Sequence, residues 1–216
     1  MNTDLGAHTR EAMEISEKSR AIVRKIVTGD TPEDRIRQRC VMATGDPAFV
    51  ELMRFNNAPV EAGIKAIREG AVIFTDIRMA QVGITKRGHK CEVRCVLDAG
   101  SDMAERTGAT RTSAGFMALE KELDGSIIVI GNAPSAALTV CGMIERGFKP
   151  ALFVATPVGF VNAAESKELV RALDVPSITC VGTRGGTPVA VAVVNQIVEM
   201  AVDEVYDKIP PSKSVE

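Results

Sequence analysis

The sequence predicts an α/β protein: a mostly parallel sheet covered by helices on both faces, with an N-terminal helical segment. Three observations carry that expectation. Short, continuously apolar runs recur after residue 70, each bounded by a Gly, Asp or Pro signal. Helical stretches separate them, at about 134–146, 161–173 and 187–208. The first 70 residues instead read as helices. Continuous rather than alternating hydrophobicity suits strands covered on both sides, as in parallel sheets. Strands that alternate with helices imply right-handed crossovers and a mostly parallel sheet.

Taken in order, Thr31-Pro32-Glu33-Asp34 starts a helix: a Thr N-cap, Pro at the first helical position, then acids facing the positive end of the dipole. Gly45 closes it. Asp46-Pro47 starts another, with Phe49, Val50, Leu52 and Met53 as its apolar positions, and a third runs from Pro59 to about Glu69, ending at Gly70. The strands are Ala71–Thr75, Val93–Leu97, Ser126–Ile130, Ala151–Val154 and Ile178–Val181. Arg94 interrupts the second of these, which places it near a sheet edge with one face partly open. There is no internal repeat, low-complexity tract or linker, and only the tail, 210–216, looks frayed.

Composition limits the function classes. With 216 residues, 45% of them hydrophobic, the chain can bury roughly 70% of its unfolded surface, and a single domain spanning 1–216 is expected. A net charge of −2 argues against a nucleic-acid or membrane-surface partner, while local basic clusters remain free to bind a small anion. No run reaches the roughly 18 apolar residues of a membrane span. Met1-Asn2-Thr3-Asp4 lacks the layout of a signal peptide, so a cytoplasmic location is expected. Five cysteines (Cys40, Cys91, Cys95, Cys141, Cys180) lack metal-ligand spacing and read as buried free thiols.

Chemistry belongs beyond the carboxyl ends of the strands, where an open parallel sheet binds its ligands. Three turns there share a design: Ile130-Gly131-Asn132-Ala133-Pro134-Ser135, Thr156-Pro157-Val158-Gly159-Phe160-Val161, and Val181-Gly182-Thr183-Arg184-Gly185-Gly186-Thr187. Each offers glycine for close backbone approach, then a helix whose free N–H groups suit an anion. Singly, each is equally a tight turn; together they point to a polyanion. No G-x-G-x-x-G or G-x-x-x-x-G-K-[ST] is present. His8 and His89 are the only histidines, both read as solvated, so a Ser-His-Asp triad is not expected.

The strings I-G-N-A-P-S at 130–135, P-V-G-F-V-N-A-A-E-S-K at 157–167, R-G-G-T at 184–187, A-T-G-D at 43–46 and T-R-T-S at 110–113 resemble those of the precorrin-8X methylmutases of corrin biosynthesis. The likeness runs collinearly from about residue 10 to 205. It implies an isomerase that moves a methyl group from C11 to C12 of a corrinoid ring. It also implies a homodimer holding that ring near its subunit interface, no cofactor of the protein's own, and cobalt carried, if at all, by the substrate. The ligand-facing positions it implies are Arg111, Thr112, Gly131, Asn132, Gly159, Phe160, Arg184, Gly185 and Gly186. The acetate and propionate carboxylates around such a ring suit helix N-termini and arginines. For Arg111 and Arg184 a helix cap or a surface ion pair is the competing role, and for Lys167 a carboxylate contact competes with solvation.

One position departs. The family's acid histidine belongs just before A-T-G-D, where this chain has Met42, and a thioether cannot donate a proton. Asp46 is the nearest substitute donor, if burial raises its pKa, and otherwise the N-cap of the next helix. Asp76 and Arg78 also fall near the expected pocket, with Asp76 either structural or ligand-facing. An isomerase with an altered acid and a corrinoid-binding relative without turnover both remain open at this point.

Overall fold

The computed structural model of the chain describes residues 9–203; the N-terminal tetrapeptide, His8, the 204–208 end of the last expected helix and the 210–216 tail lie outside them. Helix α1 (Arg10–Ile26) is capped by the Thr9 hydroxyl, which accepts from the Ala12 amide. Helix α2 (Pro32–Thr44) opens on a full capping box: Thr31 accepts from the Asp34 amide while Asp34 accepts from the Thr31 amide. Gly45 ends it in the left-handed region at φ +68°.

The next segment differs from its sequence reading. The expected helix over Phe49 to Met53 is one turn, α3 (Phe49–Leu52), and Met53 instead begins β1 (Met53–Asn56). Pairing with a distant strand overrides the helical pattern, because β1 runs antiparallel to the last strand with Met53 opposite Cys180 and Asn56 opposite Ser177. Helix α4 (Pro59–Glu69) then ends at Gly70 as expected.

The alternating half follows: β2 (Ile73–Thr75), α5 (Arg78–Gly83), β3 (Val93–Cys95), α6 (Ser101–Thr107), α7 (Arg111–Ala118), β4 (Ile127–Ile130), α8 (Pro134–Glu145), β5 (Leu152–Ala155), α9 (Ala163–Ala172), β6 (Ser177–Cys180) and α10 (Thr187–Val202). Val96 and Leu97, expected in a strand, form a 3-10 turn instead. The sheet order is β1-β6-β5-β4-β2-β3, parallel throughout except for β1. Arg94 does lie on the edge strand, where it pairs with Glu122 at 2.6 Å and stacks over the Phe74 ring.

Side chains alternate across the sheet and build one core on each face. Ile73, Ile127, Val129, Leu152, Val154 and Ile178 pack beneath α2, α4 and α10. Phe74, Ile128, Ile130, Phe153 and Ala155 pack beneath α7, α8 and α9. Burial on both faces explains the unbroken apolar run of β4; each such isoleucine stabilises the fold by roughly 1.5–3 kcal/mol before entropy is counted. Among the described residues no helix is long and apolar enough to cross a membrane.

Candidate functional site

Because β2, β4, β5 and β6 are parallel, the turns that leave them open on one edge of the sheet. The chain departs from β2 toward β3 on one side, while β4, β5 and β6 build outward on the other. The crevice between β2 and β4 is therefore the reversal point at which open α/β sheets take ligands. The turn after β4 borders this crevice, and the turns after β5 and β6 follow along the same edge in contact with it and with each other. A Cβ on Gly131 would meet the Thr187 Cα at 2.7 Å, so the turn after β4 needs glycine to lie against the start of α10. The turns after β5 and β6 are bonded together: Gly159 N–H donates to the Thr183 carbonyl at 3.1 Å and Gly186 N–H to the Thr156 carbonyl at 2.6 Å. Gly185, at φ +148°, would place a Cβ 2.3 Å from the Thr156 oxygen.

The rim also receives the A-T-G-D string, and β1 is the reason. Its antiparallel course brings the α2–α3 connection alongside the turn after β6, with Val181 N–H bonded to the Leu52 carbonyl at 2.9 Å. There Arg184 Nη1 meets Asp46 Oδ2 at 3.1 Å. The other Asp46 oxygen accepts from the Ala48 amide at 2.9 Å. Asp46 is thus half-exposed, ion-paired and engaged in capping its own turn, without the burial that its use as a substitute donor requires. Met42 lies in the last turn of α2, 39% exposed.

Asp76 answers a question the sequence left open. It is fully buried directly after β2, and its Oδ2 accepts from the amides of Asn132 at 2.7 Å and Ala133 at 2.9 Å. The amides expected to grip a ligand at the first Gly-rich turn are therefore already held by the protein's own carboxylate. Burial pushes the Asp76 carboxyl up from the ordinary range, against the opposing pull of those amides. Its Oδ1 is buried with no hydrogen-bond partner. The signal for this role was present: an acid immediately following a strand reaches the neighbouring turn of a parallel sheet.

Lys167 is likewise not solvated. It is fully buried, donating to the Arg184 carbonyl at 2.6 Å and lying 3.6 Å from the Cys180 sulfur. Burial draws its ammonium down and the Cys180 thiol up. The lysine so fixes from below the turn whose side chain pairs with Asp46.

Arg111 takes neither of its competing roles. It is exposed at the first position of α7, and its guanidinium has no partner among the described residues. Thr110 caps the helix through the Ser113 amide at 3.3 Å and touches the Ser135 hydroxyl at 2.9 Å, which sets the start of α7 against the start of α8. Thr112 is buried beside Thr110. Asn132 is exposed, and Phe160 is 94% exposed between Val158 and Val161 on the turn after β5. The helices α9 and α10 start without a side-chain cap.

His89 lies elsewhere, ahead of β3, and is part-buried rather than solvated: its ring bonds the Thr85 carbonyl at 2.6 Å and the Cys91 amide at 3.1 Å. All five cysteines are free, four buried and Cys91 only half-buried, just ahead of β3. Among the described residues no cluster of three or more His, Cys, Asp or Glu is arranged to hold a metal ion.

The family model described as precorrin-8X methylmutase matches residues 14–200. A cobalt-precorrin-8 methylmutase of Methanocaldococcus jannaschii is 41% identical over 212 residues, covering 93% of this chain and 99% of the relative. A precorrin-8X methylmutase of Pseudomonas aeruginosa is 36% identical over 171 residues, covering 76% of this chain and 82% of the relative. The crystal structure of precorrin-8X methylmutase from Thermus thermophilus superposes with a TM-score of 0.81 at 34% identity, over 88% of this chain and 96% of that one.

Proposed function

The chain belongs to the precorrin-8X methylmutase family, and from that premise we infer that it is an isomerase of cobalamin biosynthesis that moves a methyl group from C11 to C12 of precorrin-8X or its cobalt form. The observation that carries the reading is spatial. Motifs separated by up to 138 residues, Asp46 of A-T-G-D and Arg184 of R-G-G-T, touch across one rim, with the other Gly-rich turns alongside.

The reaction is intramolecular, so no group enters or leaves. What the protein contributes is orientation of the ring and stabilisation of charge as the methyl group migrates. Arg111 binds a rim carboxylate of the ring, since it is exposed without a partner among the described residues, at the helix start that Thr110 sets against α8. Phe160 and Asn132, exposed on the turns after β5 and β4, offer further contacts to the ring, while Thr112 is buried behind the start of α7. Gly131, Gly159, Gly185 and Gly186 act less as anion grips than as close-packing positions that let the turns interlock, because Asp76 and the turns themselves occupy several amides. Arg184 acts as a clamp between the α2 end and the β6 turn. The protein needs no cofactor of its own, and cobalt, where present, arrives inside the substrate. The working unit is a homodimer of the cytoplasm, with the ring near its subunit interface.

Incubation with precorrin-8X, followed by visible spectroscopy, tests the reading; conversion to the hydrogenobyrinic acid spectrum is expected. A protein that leaves both substrate and product spectra unperturbed at micromolar concentration overturns it. Arg111→Ala is expected to weaken corrinoid binding about 10–100-fold, the range for losing a charge-assisted hydrogen bond. Unchanged affinity in a spectroscopic titration removes Arg111 from the site.

A further inference from the structure

A buried cation lies beneath the turn after β6 with no carboxylate bonded to it. Lys167 is fully buried, and among the described residues its Nζ meets the Arg184 carbonyl at 2.6 Å and the Cys180 sulfur at 3.6 Å. An interior ammonium without an acid is costly, and a methionine would fill similar space without the charge. Nor is the lysine needed merely to tie the turn down. The Cys180 thiol already donates to the same carbonyl at 3.2 Å. The charge calls for a second role.

The peptide that joins Arg184 to Gly185 supplies one. Two donors from the core hold its carbonyl inward. No peptide bond of the described residues is cis, and in a trans peptide the N–H points opposite to the C=O. The Gly185 N–H is therefore turned outward, on the rim where Arg184 meets Asp46. Other amides of that rim are occupied: Gly186 by the Thr156 carbonyl, Gly159 by the Thr183 carbonyl, Asn132 and Ala133 by Asp76. The Gly185 N–H has no partner among the described residues, and the residue is only half-buried. Glycine also leaves its amide uncovered, having no side chain. A cation bonded to the carbonyl polarises the whole peptide unit and strengthens its N–H as a donor. Cation, carbonyl and amide in that order present a positive end to the rim, which suits an anionic oxygen.

We propose that Lys167 is a positioning residue: through the Arg184 carbonyl it turns and polarises the Gly185 N–H, which donates to a carboxylate of the bound corrinoid. The α-carbon of Gly185 packs against the Thr156 turn while its amide faces the ligand, so the two roles do not compete. This deepens the isomerase reading above and rests on its substrate.

Nitrogen-15 NMR of the full chain, titrated with hydrogenobyrinic acid, reads the amide directly. The Gly185 amide proton is expected to move downfield at saturation and to exchange with solvent more slowly. Lys167→Met, with circular dichroism to confirm folding, is expected to bind the same acid about 10–100-fold more weakly, as for the loss of one charge-assisted hydrogen bond. Its Gly185 proton should also move less at saturation, whereas a lysine that only braced the fold would alter the melting temperature and leave that movement intact. A wild-type sample whose visible spectrum shows bound corrinoid, with the Gly185 amide unmoved, overturns the proposal and leaves the isomerase reading standing. A folded Lys167→Met variant with wild-type affinity and wild-type movement does the same. A wild-type protein that binds no corrinoid overturns both. The wild-type titration decides the matter even where the variant fails to fold.

Discussion

Met42→His is expected to raise the methylmutase rate by about 10²–10⁴-fold, the usual contribution of a positioned general acid. The surroundings favour the change. Met42 is 39% exposed in the last turn of α2 and lies outside both buried core clusters, so the exchange leaves the core intact. That last turn carries no basic residue, and the negative end of the helix dipole favours a protonated imidazole over a neutral one. The gain should therefore be largest below about pH 6.5 and fade as the imidazole loses its proton above it. Single-turnover conversion of precorrin-8X, followed by its visible spectrum across that range, reads both the size and the slope. Met42→Gln, polar but without a titrating proton, should stay near the wild-type rate. If the histidine variant binds corrinoid yet turns over no faster, the proton does not enter from the end of α2.

Asp76→Ala is expected to destabilise the fold by about 2–4 kcal/mol, because two amides beside the rim lose their acceptor. The Ala133 amide is buried, so its lost partner is costly to replace. Asp76→Asn keeps an acceptor of the same size and isolates the charge. The sign of the pH effect follows from the raised carboxyl: the folded protein holds that proton more tightly than the unfolded chain does. The stability this lends is complete below about pH 4 and is lost as pH rises through the higher folded value, after which the curve is flat. Urea denaturation of wild type against Asp76→Asn should show the wild-type advantage shrinking as pH rises above about 4. A difference that stays constant, or that grows with pH, means the carboxylate is stabilised in place by the amides and burial does not dominate.

Much of the fold was legible because its signals are local. The Thr31 cap, Pro32, Gly45 and Gly70 mark helix ends by chemistry confined to a few residues, and the unbroken apolar runs announce strands buried on both faces. Strand β1 was not legible, since Leu52 and Met53 fit a helix until Cys180 and Val181, far along the chain, supply hydrogen-bond partners. The short helices α5, α6 and α7 span at most eight residues, too few for a periodicity to declare itself. At the site, the strings told which segments meet. They did not tell what satisfies the amides, because Asp76 reaches its turn across the sheet, nor that Lys167 is buried beneath Arg184. Sequence spacing reports which residues neighbour one another on an element, and these contacts lie between elements.

The antiparallel edge strand has a kinetic consequence as well. Since β1 docks only on β6, the α2 end cannot reach the Arg184 turn until nearly the whole nascent chain is available. Closing so long a loop is among the slower events of folding. Once formed, the same docking is the natural place for the molecule to open first: peeling back one four-residue strand loosens the Asp46–Arg184 pair, while α2 stays packed on the core through Ile36, Cys40 and Val41.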